Sequence, residues 1–338
     1  MQLLLTYSIY KMRCTIIFGF ILCIVMTSCD NEGDSTNSVP MVTNAATSSV
    51  FVQSNIIYGE GLAHDSLNSD GAIAVSLLMD IYEPEEDIDN RPLFMFIHGG
   101  GFTGGSKTQA QILNFAEYFS SRGWVFVSVN YRLRDNFGTT PQEWVSFSEV
   151  LPTEDVRSQF LAIYPAIRDA KAALRFLVAN AGQYKINTDY ITVGGGSAGA
   201  ISSVALGVSE LEDYQDELDP IIDPTTTVNN PTQTYEVHSI IDLWGSDLAV
   251  DALESIYGLE RFDSSDPPIM IVHGTQDTTV LFTEAEDLRD RCITNNIPFA
   301  FFPIEGAGHA AWNATVDGDD LERLTFEFIV EQQGLIVE

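Results

Sequence analysis

Tyr190-Ile191-Thr192-Val193-Gly194-Gly195-Gly196-Ser197-Ala198-Gly199 is the stretch that decides the fold. An apolar run of β type leads into a serine that has Gly195 two residues before it and Gly199 two residues after it, the pattern of a strand turning sharply into a helix. Glycine at those positions lets strand and helix approach closely. The turn leaves the serine hydroxyl exposed at a helix N-terminus, whose partial positive charge favours a developing anion. In a chain with 25 glycines the pattern also arises by chance, so a second signal is required.

That signal is His98-Gly99-Gly100-Gly101-Phe102, directly after the strand-like run Leu93-Phe94-Met95-Phe96-Ile97. Acyl transfer passes through a tetrahedral oxyanion, and a glycine-rich loop can aim backbone N–H groups at one point with no side chain in the way. The donors are assigned to Gly100, Gly101 and the N–H of Ala198. A nucleophilic Ser197 needs a base, and the chain has five histidines. His98 belongs to the glycine loop and is expected to fix its conformation; His238 and His273 stand at a strand start and a strand end; His64 lies in a polar region without a supporting motif. His309, in Gly306-Ala307-Gly308-His309 after the last strand-like run, is the expected base. Asp277, at the end of a short turn after Ile269-Met270-Ile271-Val272, is the expected carboxylate to hold its tautomer, with Asp247 as the alternative. The chain order Ser197, Asp277, His309 is the order of this sheet type.

Outward from these motifs, residues 50–58 and 74–82 read as two antiparallel strands. Residues 93–97, 124–130, 190–193, 239–243, 269–272 and 299–302 read as short buried parallel strands. Ile163, Ile167, Ala170, Leu174 and Leu177 recur at helical spacing across 162–180, and Phe115, Phe119 and Arg122-Gly123 mark another helix and its stop. This alternation predicts an α/β fold, a mostly parallel central sheet with helices on both faces and the site beyond the carboxyl ends of the strands. Two polar stretches, 133–162 and 208–237, interrupt it and read as loops, at least one of them covering the substrate pocket.

The chain resembles the α/β-hydrolase superfamily, on the branch of carboxylesterases and lipases with an H-G-G-G loop that includes the hormone-sensitive-lipase-like and type-B carboxylesterases. The resemblance runs from about residue 78 to 330 and rests on 98–102, Val129-Asn130-Tyr131-Arg132-Leu133, 170–177, 195–199, the Asp277 turn with Val280, and His309. It implies hydrolysis of carboxylic esters with Ser197 as nucleophile, His309 as base, Asp277 as orienter, an oxyanion hole at Gly100, Gly101 and Ala198, and no metal or organic cofactor. Those branches place Asp or Glu before the serine, where this chain has Gly196. Some relatives deacylate plant polysaccharides, so the expected substrate is a small-molecule ester or a polysaccharide-linked acetyl or feruloyl ester. A serine peptidase and a non-catalytic binding protein on the same scaffold are the remaining alternatives.

The amino-terminal region is different in kind. Lys11 and Arg13 precede an apolar run over 16–26 and the small residues Thr27-Ser28, which reads as a signal peptide over 1–28. Residues 22–29 resemble the lipobox of bacterial lipoproteins, which implies lipidation of Cys29 and a bacterial cell-envelope location, on the periplasmic side or the cell surface. Residues 30–49, rich in Asn, Ser, Thr, Asp and Gly, read as a disordered tether that completes a 29–49 anchor region ahead of a catalytic domain over 50–338. With 16 basic against 48 acidic residues the net charge is −32, which disfavours nucleic acid and anionic membranes as partners and leaves the lipid anchor as the expected membrane contact.

Overall fold

The computed structural model describes residues 38–338. The chain enters through β1 (Met41–Val42), then builds two long strands, β2 (Val50–Ala63) and β3 (Ile73–Pro84), which pair antiparallel. From there strand and helix alternate: β4 (Arg91–Ile97), α1 (Ala110–Ser120), β5 (Val125–Val129), then α2 (Gln142–Ser148), α3 (Glu154–Leu161), α4 (Ile163–Ala179) and the short α5 (Ala181–Tyr184). After these come β6 (Ile186–Gly196), α6 (Ala198–Val208), β7 (Ser239–Leu243), α7 (Leu248–Tyr257), β8 (Ile269–Gly274), α8 (Phe282–Asn295) and β9 (Phe299–Ile304). The chain closes with β10 (Thr315–Val316), β11 (Asp319–Asp320), α9 (Leu321–Gln333) and β12 (Ile336–Val337).

Eight strands form one sheet in the order β2-β3-β5-β4-β6-β7-β8-β9. The pairs β2·β3 and β3·β5 are antiparallel, and every later pair is parallel. The period of two in β4 shows how the sequence sets the layers. Leu93, Met95 and Ile97 join one core with Ile167, Ala170 and Leu174 of α4 and Val204 of α6. Phe94 and Phe96 join the opposite core with Phe115 and Phe119 of α1 and Ile329 of α9. In the second core aromatic rings meet edge to face, Phe94 with Phe119 at 4.9 Å and with Phe126 at 5.2 Å.

Two expectations change. Residues 38–49 do not behave as tether: Val42 is fully buried in the second core, and β1 pairs parallel with β12. A single apolar side chain seated under α1 and α9 outweighs a polar composition that shows no hydrophobic period. The expected leader over 1–28, Cys29 and residues 30–37 lie outside the described residues.

The stretches 133–162 and 208–237 are also more than loops. The first folds into a 3-10 turn over Arg134–Asn136, α2 and α3. The second has a 3-10 turn at Pro224–Thr227 and is pinned to α4 by cations. Arg168 reaches Asp223 at 2.5 Å, Lys171 Nζ donates to the carbonyl of Asp213 at 2.9 Å, and Arg175 Nε donates to the carbonyl of Asn229 at 3.1 Å. These three residues sit at helical spacing among the apolar positions of α4, so one helix face buries both greasy and charged groups.

Candidate active site

Four strand ends supply the site. Ser197 follows β6 and stands as the residue before α6, with φ 55° and ψ −122°, a backbone strained for any residue with a side chain. Its own N–H donates to the carbonyl of Leu243 at 2.9 Å, which holds that conformation against β7. A Cβ on Gly199 would fall 2.0 Å from the carbonyl oxygen of Ile97, so only glycine lets α6 leave the turn against the end of β4.

Asp277 follows β8 and His309 follows β9. His309 Nε2 lies 2.9 Å from Ser197 Oγ, and His309 Nδ1 lies 2.6 Å from Asp277 Oδ2. The other carboxylate oxygen of Asp277 accepts from the amides of Thr279 at 2.8 Å and Val280 at 3.1 Å. An ionised carboxylate only accepts, so Nδ1 carries the imidazole proton and Nε2 offers a lone pair to the Ser197 hydroxyl. Asp247, the alternative orienter, is instead engaged by Arg291 at 2.9 Å at the start of α7.

The loop after β4 presents donors. Gly100, at φ +126°, and Gly101, at φ +60°, adopt conformations that favour glycine. Among the described residues the amides of Gly100, Gly101 and Ala198 donate to no protein acceptor. His98, as expected, is structural: it is buried, its Nδ1–H donates to the carbonyl of Gly99 at 2.9 Å, and its ring stacks on Tyr131 at 4.3 Å. Burial pushes its pKa down to about 4. The Asn130-Tyr131-Arg132 run braces the same loop, with the Tyr131 hydroxyl donating to the carbonyl of His98 at 2.9 Å and Arg132 paired with buried Asp169 at 2.6 Å.

A cavity of about 300 Å³ opens beside Ser197 between Gly101, Ala198, Ile201 and Val280. Residues 133–162 contribute Leu151, Val156, Gln159 and Phe160 to its wall, so the first interrupting stretch covers the pocket. The second lies behind it, where Tyr214 packs on Trp144 at 5.7 Å and on Tyr164 at 5.6 Å. The wall carries no charged side chain although the chain is strongly acidic.

Sequence reasoning missed three features. His273, read as a strand-end histidine, is buried with Nε2 against the carbonyl of Val280 at 2.9 Å and 3.4 Å from Asp277 Oδ2. Gln159 reaches the glycine loop after β4 from α3, donating to the carbonyl of Gly101 at 2.8 Å. The glycine before Ser197 has a packing cause, since a Cβ on Gly196 would sit 3.1 Å from Trp244 Nε1 and 3.2 Å from the Trp312 ring. The spacing His273 to Asp277 was a legible signal; the other two depend on contacts between segments far apart in the chain. Among the described residues no cluster of His, Cys, Asp and Glu is arranged to hold a metal, and no helix is long and apolar enough to cross a membrane.

The sheet order, the serine turn at the end of β6 and the acid and histidine after β8 and β9 define an α/β-hydrolase fold. The BD-FAE family model matches residues 79–143 and 153–292, more than half of the chain, and the protein belongs to that family. Gut esterase 1 of Caenorhabditis briggsae is 32% identical over 133 residues, 39% of this chain and 21% of that protein. Matches to curated relatives span between 21% and 56% of those relatives' lengths. Thermogutta terrifontis esterase 2 phosphorylated by paraoxon superposes with a TM-score of 0.57 at 23% identity, covering 82% of this chain and 95% of that one. A truncated carbohydrate esterase from gut microbiota gives 0.56 at 19% identity, covering 87% and 99%.

Proposed function

We propose that this protein hydrolyses carboxylic esters through a covalent acyl-enzyme formed on Ser197. The observation that carries this reading is the continuous chain Asp277–His309–Ser197, with contacts of 2.6 and 2.9 Å, beside an apolar cavity. His309 Nε2 takes the hydroxyl proton as Ser197 Oγ attacks the ester carbonyl. The amides of Gly100, Gly101 and Ala198 receive the oxyanion, and Asp277 stabilises the imidazolium. As the C–O bond breaks, His309 returns the proton to the leaving alcohol. Water, deprotonated by the same imidazole, then releases the acid and restores Ser197. Esterases among the relatives, and a structural neighbour described as phosphorylated by paraoxon, support serine ester hydrolysis.

The substrate we assign is an ester of a short acyl group, whose apolar part would fill the cavity, carried on a small alcohol or on a polysaccharide. The carbohydrate esterase among the structural neighbours favours the polysaccharide-linked reading. Turnover of p-nitrophenyl acetate by the wild type, abolished in a folded Ser197→Ala variant, supports the esterase reading; retained turnover in the variant rejects it. Release of acetate or ferulate from xylan separates the polysaccharide reading from a small-ester specialist. We also propose lipid anchoring at Cys29 in a bacterial envelope, on the strength of residues 22–29. Membrane fractionation of a Cys29→Ala variant tests it, and membrane association that survives the substitution contradicts it.

A further inference from the structure

Every carbonyl from His98 to Phe102 is tied down. His98 O accepts from the Tyr131 hydroxyl at 2.9 Å and Gly99 O from His98 Nδ1 at 2.9 Å. Gly100 O accepts from the amides of Thr103 at 3.0 Å and Gly104 at 3.1 Å, and Phe102 O from the amide of Arg134 at 2.8 Å. Gly101 O accepts from Gln159 Nε2 at 2.8 Å. A peptide plane is rigid, so fixing its carbonyl fixes the N–H at its other end, and five fixed carbonyls in a row set where the remaining amides point. Glycine-rich backbone would otherwise rotate freely and lose the preorganisation on which oxyanion stabilisation depends.

One of these partners differs from the rest. Of the residues that hold the five carbonyls, Gln159 alone also lines the cavity beside Ser197. It belongs to α3, whose N-terminus is capped by Thr153, with Arg134 paired to Asp155 at 2.8 Å. The ligand wall and the oxyanion loop therefore share a side chain.

We infer that Gln159 is a positioning residue: it locks the Gly101–Phe102 peptide and, through the Gly101 Cα that this plane shares with the one before it, limits how far the Gly101 amide can turn away from the oxyanion, so that this alignment depends on how α3 is seated over the acyl group. The inference rests on the esterase reading above. Gln159 donates no proton and touches no reacting atom; it acts through the Gly101 carbonyl. A Gly101–Phe102 peptide released from Gln159 can rotate about the Gly101 Cα and loosen the preceding plane, whose Gly101 amide binds the transition state more strongly than the ground state, so the loss falls on kcat.

The test compares wild type with Gln159→Met, which keeps length and loses the donor, and Gln159→Glu, which places acceptors against a carbonyl. With p-nitrophenyl acetate, kcat should fall roughly 10- to 100-fold in both, with KM changed less than about threefold and melting temperature nearly unchanged. Amide hydrogen exchange over residues 98–104 should quicken in both variants, a readout that needs no turnover. Unchanged kcat with unchanged exchange overturns the inference, as does a loss carried by KM, which would make Gln159 a pocket wall only. A wild type without esterase activity overturns the esterase reading, while the exchange measurement still decides whether Gln159 holds the loop.

Discussion

His273 Nε2 lies 3.4 Å from Asp277 Oδ2, the same oxygen that His309 Nδ1 reaches at 2.6 Å. Two imidazole nitrogens thus lie near one carboxylate oxygen, the His309 N–H donating to it and the His273 N–H donating to the carbonyl of Val280, while the amides of Thr279 and Val280 occupy the other oxygen. The three groups that hydrogen-bond this carboxylate, His309 Nδ1 and the amides of Thr279 and Val280, are all donors, which matches a side chain that only accepts. Burial is the largest influence on His273 and lowers its pKa, so the ring beside Asp277 is disfavoured as a cation.

Asp277→Asn should therefore fail in either amide orientation, because the NH2 group meets donors on both sides. We expect kcat to drop by about 10³–10⁴-fold from the wrong imidazole tautomer. Stability should fall by about 1–3 kcal/mol from donors left unpaired. Ester turnover and a denaturant melt of the purified variant check both.

Arg168→Met should unfold the cover behind the pocket more readily than it harms the site. Burial pushes the Asp223 carboxyl up, but hydrogen bonding and charge from Arg168, with Thr225, more than offset it and hold the pKa down to about 2. A depressed carboxylate pKa contributes stability that is complete above the unfolded value near 4 and is lost as pH falls toward 2. Leaving Asp223 buried without its cation should cost about 3–5 kcal/mol at neutral pH. The difference between the two proteins should shrink below about pH 4, because the buried Asp223 that has lost its cation protonates in the folded variant and sheds its burial penalty, while the wild-type pair weakens toward pH 2. Urea melts at pH 7 and pH 3.5 measure this; an equal difference at both would contradict it.

Asp242 has the opposite sign. On β7 it pairs in register with Gly195, one of its oxygens accepts from Gly245 at 2.6 Å, and the other is buried with no partner. Burial raises its pKa to about 7, with Asp247 adding to the shift. The folded state binds the proton more tightly than the unfolded state, so stability falls as pH rises from about 4 to 7. Asp242→Asn should remove that slope and raise the melting temperature at pH 7.5, by about 2–4 °C for each kcal/mol relieved. A melting temperature that does not rise, or a pH slope equal to that of wild type, would contradict the assignment.

Val156 is 39% exposed at the edge of the cavity, on a helix that does not bury it. Val156→Phe should narrow the space without opening a void, so kcat/KM for a butyrate ester should drop about tenfold relative to acetate. An unchanged acetate-to-butyrate ratio would place the acyl group elsewhere.

Most of the sheet was legible because buried strands announce themselves. Residues 239–243 form β7 with the bounds read from the sequence, and 93–97 and 124–130 fall on β4 and β5 to within two residues. Residues 299–302 also form a strand, but as β9 it is the sheet edge and half exposed. Helices α2 and α3 escaped notice because their sequences are polar and their apolar residues pack on distant partners, Trp144 against Phe160 at 5.3 Å and against Tyr214 at 5.7 Å. The burial of Val42 could not be read from residues 30–49, where Asn, Ser, Thr, Asp and Gly predominate and the few apolar residues show no period. In the site, Ser197, His309 and Asp277 are brought within hydrogen-bond reach, because motifs after strand ends converge on one sheet edge. Gln159 acts through a contact with a segment far away in the chain that no local spacing defines, whereas His273 stands four residues before Asp277 and could have been read.

The most direct measurement is the mass of the protein after exposure to paraoxon, followed by mapping of the modified peptide. Stoichiometric addition of one diethylphosphoryl group on Ser197, in step with loss of p-nitrophenyl acetate turnover and absent in His309→Ala, is the expected result. An enzyme that turns over esters while its adduct lies on another residue, or that stays active with Ser197 fully modified, would contradict the assignment of Ser197 as the nucleophile.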